Sequence, residues 1–160
     1  MDPKAKQKAL RLLTNGIYVI TSRSDKCYGA ATVTWVSQAS FKPPLLMVAL
    51  RKDGSVLQCL VQSLTAVLHV LDSGQRDLAQ KFFAATEESN GMLNGEPYRV
   101  GKNGAPVLDR LGVYLECKAI EIVQQQPGDH SVAILEVQDA VVRRDIKPLT
   151  VPETPWQYGG

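Results

Sequence analysis

Apolar and polar positions along this chain recur in two periods, and the change of period marks the elements. Between Lys4 and Leu13, Ala5, Ala9, Leu12 and Leu13 fall at roughly helical spacing among good helix formers, which predicts a short amphipathic helix. Asn15-Gly16 stops it, since Gly16 can take the positive φ of a helix C-cap. The β-branched and aromatic run Ile17 to Thr21 predicts a strand, Ser24-Asp25-Lys26 a turn, and Tyr28 to Val36 a second strand. In that strand Ala31, Val33 and Trp35 share one face, and Thr32 and Thr34 the other. One face is core, and the other presents two hydroxyls.

Pro43-Pro44 then separates off Leu45 to Leu50, a continuous apolar run that reads as a strand buried on both faces. A polar loop from Arg51 to Ser55 follows, with Ser55 as the N-cap of a helix carrying Val56, Leu57, Leu60, Val61 and Leu64. Val67 to Leu71 predicts a strand, and Gln75 to Ala85 a helix with Leu78, Phe82 and Phe83 toward the core. Glu87 to Gly104 holds four glycines, three asparagines and one proline, a long irregular excursion of the kind that carries function. Strands over Val113 to Val123 and Ser131 to Val142, joined by Gln124 to His130, close the pattern. The tail Pro152 to Gly160 is rich in proline and glycine yet carries Trp156 and Tyr158. With no repeat or composition break, residues 1–160 read as one α+β domain on an antiparallel sheet or barrel.

Composition narrows the function mainly by exclusion. Eighteen Lys+Arg against sixteen Asp+Glu leave +2, too little to point to nucleic acid. The longest fully apolar run holds six residues, so no helical membrane span is expected. The first thirteen residues carry Asp2, Lys4, Lys6, Lys8 and Arg11, unlike a signal peptide, which points to the cytoplasm. Cys27, Cys59 and Cys117 lie far apart, arguing against a disulfide framework, and no metal site is expected from them or from His69 and His130. Fingerprints of Rossmann, P-loop and hydrolase-elbow sites are missing.

Three segments carry candidate chemistry. Thr32-Val33-Thr34-Trp35 leads into Ser37 to Pro44, a hydroxyl-bearing strand and irregular turn suited to a planar polar heterocycle. Arg51-Lys52-Asp53-Gly54-Ser55 opens a helix, where unbonded N–H groups and basic side chains suit a phosphate. Gly128-Asp129-His130 heads the last long strand, and in an extended chain Asp129 and His130 point apart, so a dyad between them is not expected.

Taken together these segments resemble the flavin reductase-like family of FMN-binding split barrels. The resemblance rests on residues 29–44, on Asp77 to Phe82, on Pro106-Val107-Leu108 with Leu115-Glu116-Cys117, and on Gly128-Asp129-His130. Its order and spacing run from about residue 9 to 142, and Trp35 with Ser40-Phe41-Lys42-Pro43-Pro44 looks most like the version fused to cyanobacterial flavodiiron proteins. The resemblance implies an antiparallel split β-barrel with a few peripheral helices. It implies Thr32, Val33, Thr34, Trp35, Ser40 and Phe41 along the flavin, Arg51, Lys52 and Ser55 near its phosphate, and His130 in NAD(P)H handling. FMN is the implied flavin, with FAD the alternative, and a homodimer the implied assembly. The implied activity is transfer of reducing equivalents from NAD(P)H to flavin, onward to a partner oxygenase or other acceptor. A flavin-binding electron carrier or store without reductase activity is the second reading, and a haem-binding or empty barrel the third. Two departures stand out: Ala30 occupies a position usually glycine, with Gly29 just before it, and His69 occupies one usually asparagine.

Overall fold

The computed structural model describes residues 1–124 and 127–159. The predicted elements are present with shifted ends. A helix α1 (Pro3–Arg11) precedes strands β1 (Tyr18–Arg23), β2 (Tyr28–Val33), β3 (Val36–Ser40) and β4 (Leu45–Arg51). Helix α2 (Ser55–Ser63), strand β5 (Thr65–Val70) and helix α3 (Arg76–Lys81) follow. Four short strands, β6 (Glu88–Ser89), β7 (Met92–Leu93), β8 (Glu96–Val100) and β9 (Pro106–Leu108), lead to β10 (Val113–Val123) and β11 (His130–Val142). A 3-10 turn at Val151–Glu153 begins the tail. Part of the link expected over Gln124 to His130, and the end of the tail at Gly160, lie outside the described residues.

Seven strands form one antiparallel sheet in the order β2-β1-β5-β10-β11-β4-β3. Strands β2 and β3 are consecutive in sequence yet occupy opposite edges, with only Thr34 and Trp35 between them. Two residues extend about 7 Å at most, whereas seven strands laid flat at about 4.8 Å spacing are far wider. The sheet must therefore curl until its edges nearly meet, which makes a barrel split along one seam. The antiparallel split barrel is the fold of this chain.

Helix α2 plugs the barrel. Its Val56, Leu57 and Leu60 pack with Ile20, Leu46, Val48, Leu50, Leu68 and Leu135 in the first core. On the other side of β1, Val19 and Ala30 join Leu78, Phe82, Leu93 and Leu108 in a second core beneath α3 and the small sheet. Strand β1 is thus buried on both faces, as its sequence implied for a different strand. The run Leu45 to Leu50 instead alternates, with Met47 turned outward, because α2 covers only its inner face.

Several local expectations need correction. Tyr28 to Val36 is two strands, broken where the chain crosses the seam. Gly54, not Ser55, is the N-cap of α2, and no side chain bonds its first turn. Gly16 does not end α1; Leu12 does, while Gly16 bridges to Thr150. Phe83 is exposed rather than core, since α3 ends at Lys81. The Glu87 to Gly104 excursion is ordered by hairpin turns in which Asn90-Gly91 and Asn94-Gly95 both take positive φ. Cys27 and Cys59 are joined by a disulfide, their Cα atoms 5.8 Å apart, because the turn before β2 abuts α2. Sequence separation concealed that approach.

His69, fully buried on β5, clasps the two sheets together. Its Nδ1–H donates to the Val19 carbonyl at 3.0 Å, and its Nε2 accepts from the Leu108 N–H at 3.0 Å. The Leu108 bond requires the neutral ring, since a protonated Nε2 cannot accept. Burial depresses its pKa from 6.5 to about 4, aided by nearby Arg99 and partly offset by the Val19 bond. The unfolded chain therefore binds the extra proton between those values, and stability falls as pH drops from 6.5 toward 4. The shift corresponds to about 3 kcal/mol. Urea unfolding across that window should show His69→Gln with a flatter pH profile than wild type, and parallel profiles would remove His69 as the cause.

Candidate functional site

The seam that shapes the barrel also brings Thr32 and Thr34 to its rim. At the end of β2 the Thr32 N–H donates to Phe82 O at 3.2 Å and the Thr32 hydroxyl to Ala79 O at 2.6 Å. One of the two hydroxyls predicted for that face is thus spent holding α3. The other is not: Thr34 Oγ1 is buried and has no hydrogen-bond partner among the described residues. A buried hydroxyl left unpaired costs about 1–3 kcal/mol, so Thr34 holds an interaction in reserve.

Gly29 lets β2 approach the start of α2. A Cβ there would come within 2.6 Å of the Val56 Cα and 2.7 Å of the Ser55 carbonyl, so only glycine fits. Thr86 locks the same junction, accepting from the Ala30 N–H and donating to the Ala30 carbonyl, both at 3.0 Å. Its one proton being used there, the Ser55 hydroxyl must donate across the 2.7 Å contact between them. Ala30 is compatible with this arrangement, and the freedom expected of a glycine here is supplied by Gly29.

These elements enclose a cavity of about 850 Å³, the size of a cofactor pocket. Thr32 and Thr34 form one side and Gly54 and Ser55 one end, with Phe82 to Thr86 and the tail residues Trp156 and Tyr158 completing the walls. The first turn of α2, which no side chain caps, begins at that end. Arg51 and Asp53 also line it, paired through two bonds of 2.9 and 2.7 Å, and this partnership lowers the Asp53 pKa. A second, smaller space of about 90 Å³ adjoins, bounded by Val33, Trp35, His130 and Tyr158. Here the Trp35 ring lies 4.7 Å from that of His130 and 5.4 Å from that of Tyr158.

His130 Nδ1 donates to Asp129 Oδ1 at 2.7 Å, which lowers the Asp129 pKa. Contrary to the sequence expectation, the neighbours do pair. Asp129 lies in the bend before β11, after Gly128 at φ +112°, so strand alternation does not apply to it.

The structure thus gathers Thr32, Val33, Thr34, Trp35, Arg51, Ser55 and His130 around adjoining spaces. It leaves three candidates outside them. Lys52 is exposed in its loop, and Ser40 and Phe41 sit at the far end of β3, where Phe41 is 90% exposed. Sequence reasoning missed Phe82 to Thr86, Asp53, and the part played by the tail. Two aromatics in a proline-glycine tail were the available signal.

A largely apolar cavity with one unpartnered hydroxyl and an uncapped helix start can receive a planar polar ring carrying an anionic group. Comparison with known proteins agrees in kind. Residues 10–153 match the model of the flavin reductase like domain. The chain belongs to that family. It is 29% identical over 139 residues to diflavin flavoprotein A 1 of Synechocystis, covering 86% of this chain but 24% of that one. The chain thus spans about a quarter of such relatives. It is 28% identical to the FMN reductase (NADH) RutF of Pseudomonas syringae, over 82% of this chain and 72% of that one. Among solved structures, the NADH:FAD oxidoreductase of Streptomyces globisporus superposes with a TM-score of 0.79 at 22% identity, covering 100% and 96% of the two chains. That likeness is one of fold.

Replacing Thr34 by valine separates its two roles. The ligand-free protein should gain about 1 kcal/mol, seen as a Tm about 2–4 °C higher, while affinity for a flavin falls. A lower Tm in Thr34→Val would show the hydroxyl to be satisfied in the free protein.

Proposed function

We propose that this chain binds FMN in the larger cavity and passes reducing equivalents from NAD(P)H to flavin. The observation that carries the reading is a buried, unpartnered hydroxyl on Thr34, a residue that lines the same cavity as the uncapped start of α2. Bound flavin supplies the redox centre. Thr34 and the seam backbone would hold its polar edge, Phe82 to Thr86 its apolar face, and the α2 N–H groups with Ser55 its phosphate. Arg51 would contribute by exchanging Asp53 for phosphate. The cavity excludes water from the ring on the sides formed by β2 and the tail. The match to the FMN reductase RutF supports FMN, with FAD as the alternative.

His130 serves the nicotinamide in this reading, from the smaller space beside Trp35. Asp129 orients its ring, and no general base is needed because hydride transfer takes no proton from the nicotinamide. FMN should bind at least about tenfold more tightly than riboflavin, since charge-assisted bonds to phosphate contribute about 1.5–3 kcal/mol each. His130→Ala should leave FMN affinity nearly unchanged while raising KM for NAD(P)H or slowing flavin reduction in stopped flow. Equal affinity for FMN and riboflavin, or unaltered reduction in His130→Ala, would overturn the respective assignment.

The small volume beside His130 favours a second reading, an FMN-binding electron carrier or store. Anaerobic spectra between 350 and 500 nm decide between them. Bleaching by NADH or NADPH supports the reductase, and bleaching by dithionite alone supports the carrier. Outward-facing Met47, Ile120 and Val142 leave apolar surface on the barrel, in keeping with a homodimer. Light scattering should give about twice 17.5 kDa, and a dilution-resistant monomer with flavin bound would exclude the dimer.

A further inference from the structure

The chain from Leu149 onward is attached to the body in two different ways. Up to Val151 it is fixed by backbone: Ile17 N–H donates to Leu149 O and Val151 N–H to Asn15 O, each at 2.9 Å. The Arg76 guanidinium also donates to the Glu153 carbonyl, and Thr154 N–H closes the turn on Val151 O at 3.0 Å. Beyond Thr154, no backbone–backbone hydrogen bond ties residues 155–159 to the rest among the described residues. Rings and one guanidinium hold that stretch instead. Trp156 meets Phe83 edge-on at 4.9 Å, and Tyr158 meets Trp35 at 5.4 Å. Arg11 reaches from α1 to donate to Gln157 Oε1 at 2.7 Å and to Gly159 O at 3.2 Å.

The cavity lies directly under this stretch, for Trp156, Gln157 and Tyr158 all line it. Their weak fastening contrasts with the firm walls opposite, which are built from β2 and α2. Helix α1 buries none of its own residues, so its grip on the tail is its evident link to the site.

We propose that residues 154–159 form a strap that retains flavin in the cavity, with Trp156 and Tyr158 as its ring contacts and Arg11 as its latch. The proposal rests on the flavin reading above and adds to it that the flavin stays bound through turnover. Ring contacts along a planar ligand lower its escape rate only while the segment bearing them stays down. With three side-chain attachments and no ladder, opening is a local event whose one cost to the cores is lifting Trp156 from the edge of the second. Release of flavin then follows strap opening, and the latch, which lies outside the cavity, controls it at a distance.

The test uses the full chain loaded with FMN and mixed with excess apoflavodoxin to trap whatever is released. Arg11→Ala and Tyr158→Ala should each speed FMN release by about tenfold or more, the loss of one modest contact set. Together they should do little more than Tyr158→Ala alone, since both act through one strap. Trp156→Ala should act in the same direction but also touches the second core, so the other two variants carry the test. Hydrogen exchange of the amides of residues 156–159 gives a separate readout. It should slow when FMN is added to wild type and quicken in flavin-free Arg11→Ala. Unchanged release in both variants, with exchange indifferent to FMN, would overturn the strap while leaving flavin binding intact. A wild-type protein that fails to bind FMN in direct titration would overturn the flavin reading itself.

Discussion

The two-residue passage from β2 to β3 is the constraint on which the rest of this structure depends. Thr34 and Trp35 must connect opposite edges of a seven-stranded sheet, and only a closed curl allows it. Curling creates an interior that the strands alone do not fill, and α2 enters to fill it with Val56, Leu57 and Leu60. At the crossing the Thr34 and Trp35 carbonyls accept from the Val36 and Ala49 N–H groups, while the Thr34 hydroxyl, beside the cavity wall, is left without a partner among the described residues. The device that makes the barrel therefore also makes the site.

Burial of β1 on both faces follows from the same geometry. Ile20 points to the barrel interior and Val19 to the second core, so one strand serves two packing surfaces. On the second-core side, His69 ties the barrel wall to β9 with one bond to Val19 and one to Leu108. A neutral imidazole accepts and donates at once, which a carboxamide can also do but an apolar side chain cannot. This explains how His69 stands where the family resemblance implied asparagine.

The site itself divides into a rigid half and a loosely fastened half. Gly29, Thr86 and Ser55 fix β2 against the head of α2 through contacts that leave no space for even one added carbon. Across the cavity, Trp156 and Tyr158 rest on exposed rings, held by a guanidinium from a helix with no buried residue. Such a division suits a ligand whose orientation must be exact and whose exchange must be controlled.

Local pattern by itself determined the elements and much of the rim. The β-branched and aromatic content around Tyr18–Arg23 and the helical spacing around Val56 and Leu60 are properties of adjacent residues, and they read directly from the chain. Thr34, Trp35, Arg51, Ser55 and His130 were legible for the same reason, since each lies in or beside a short diagnostic segment. Tertiary structure alone decided which hydroxyl is spent and which is open, because Thr32 and Thr34 differ only in what α3 brings near them. It also decided that Asp129 meets His130, that Cys27 meets Cys59, and that the tail roofs the cavity. Each of these depends on chain reversal or on the approach of distant segments, and periodicity along a strand or helix carries no information about either.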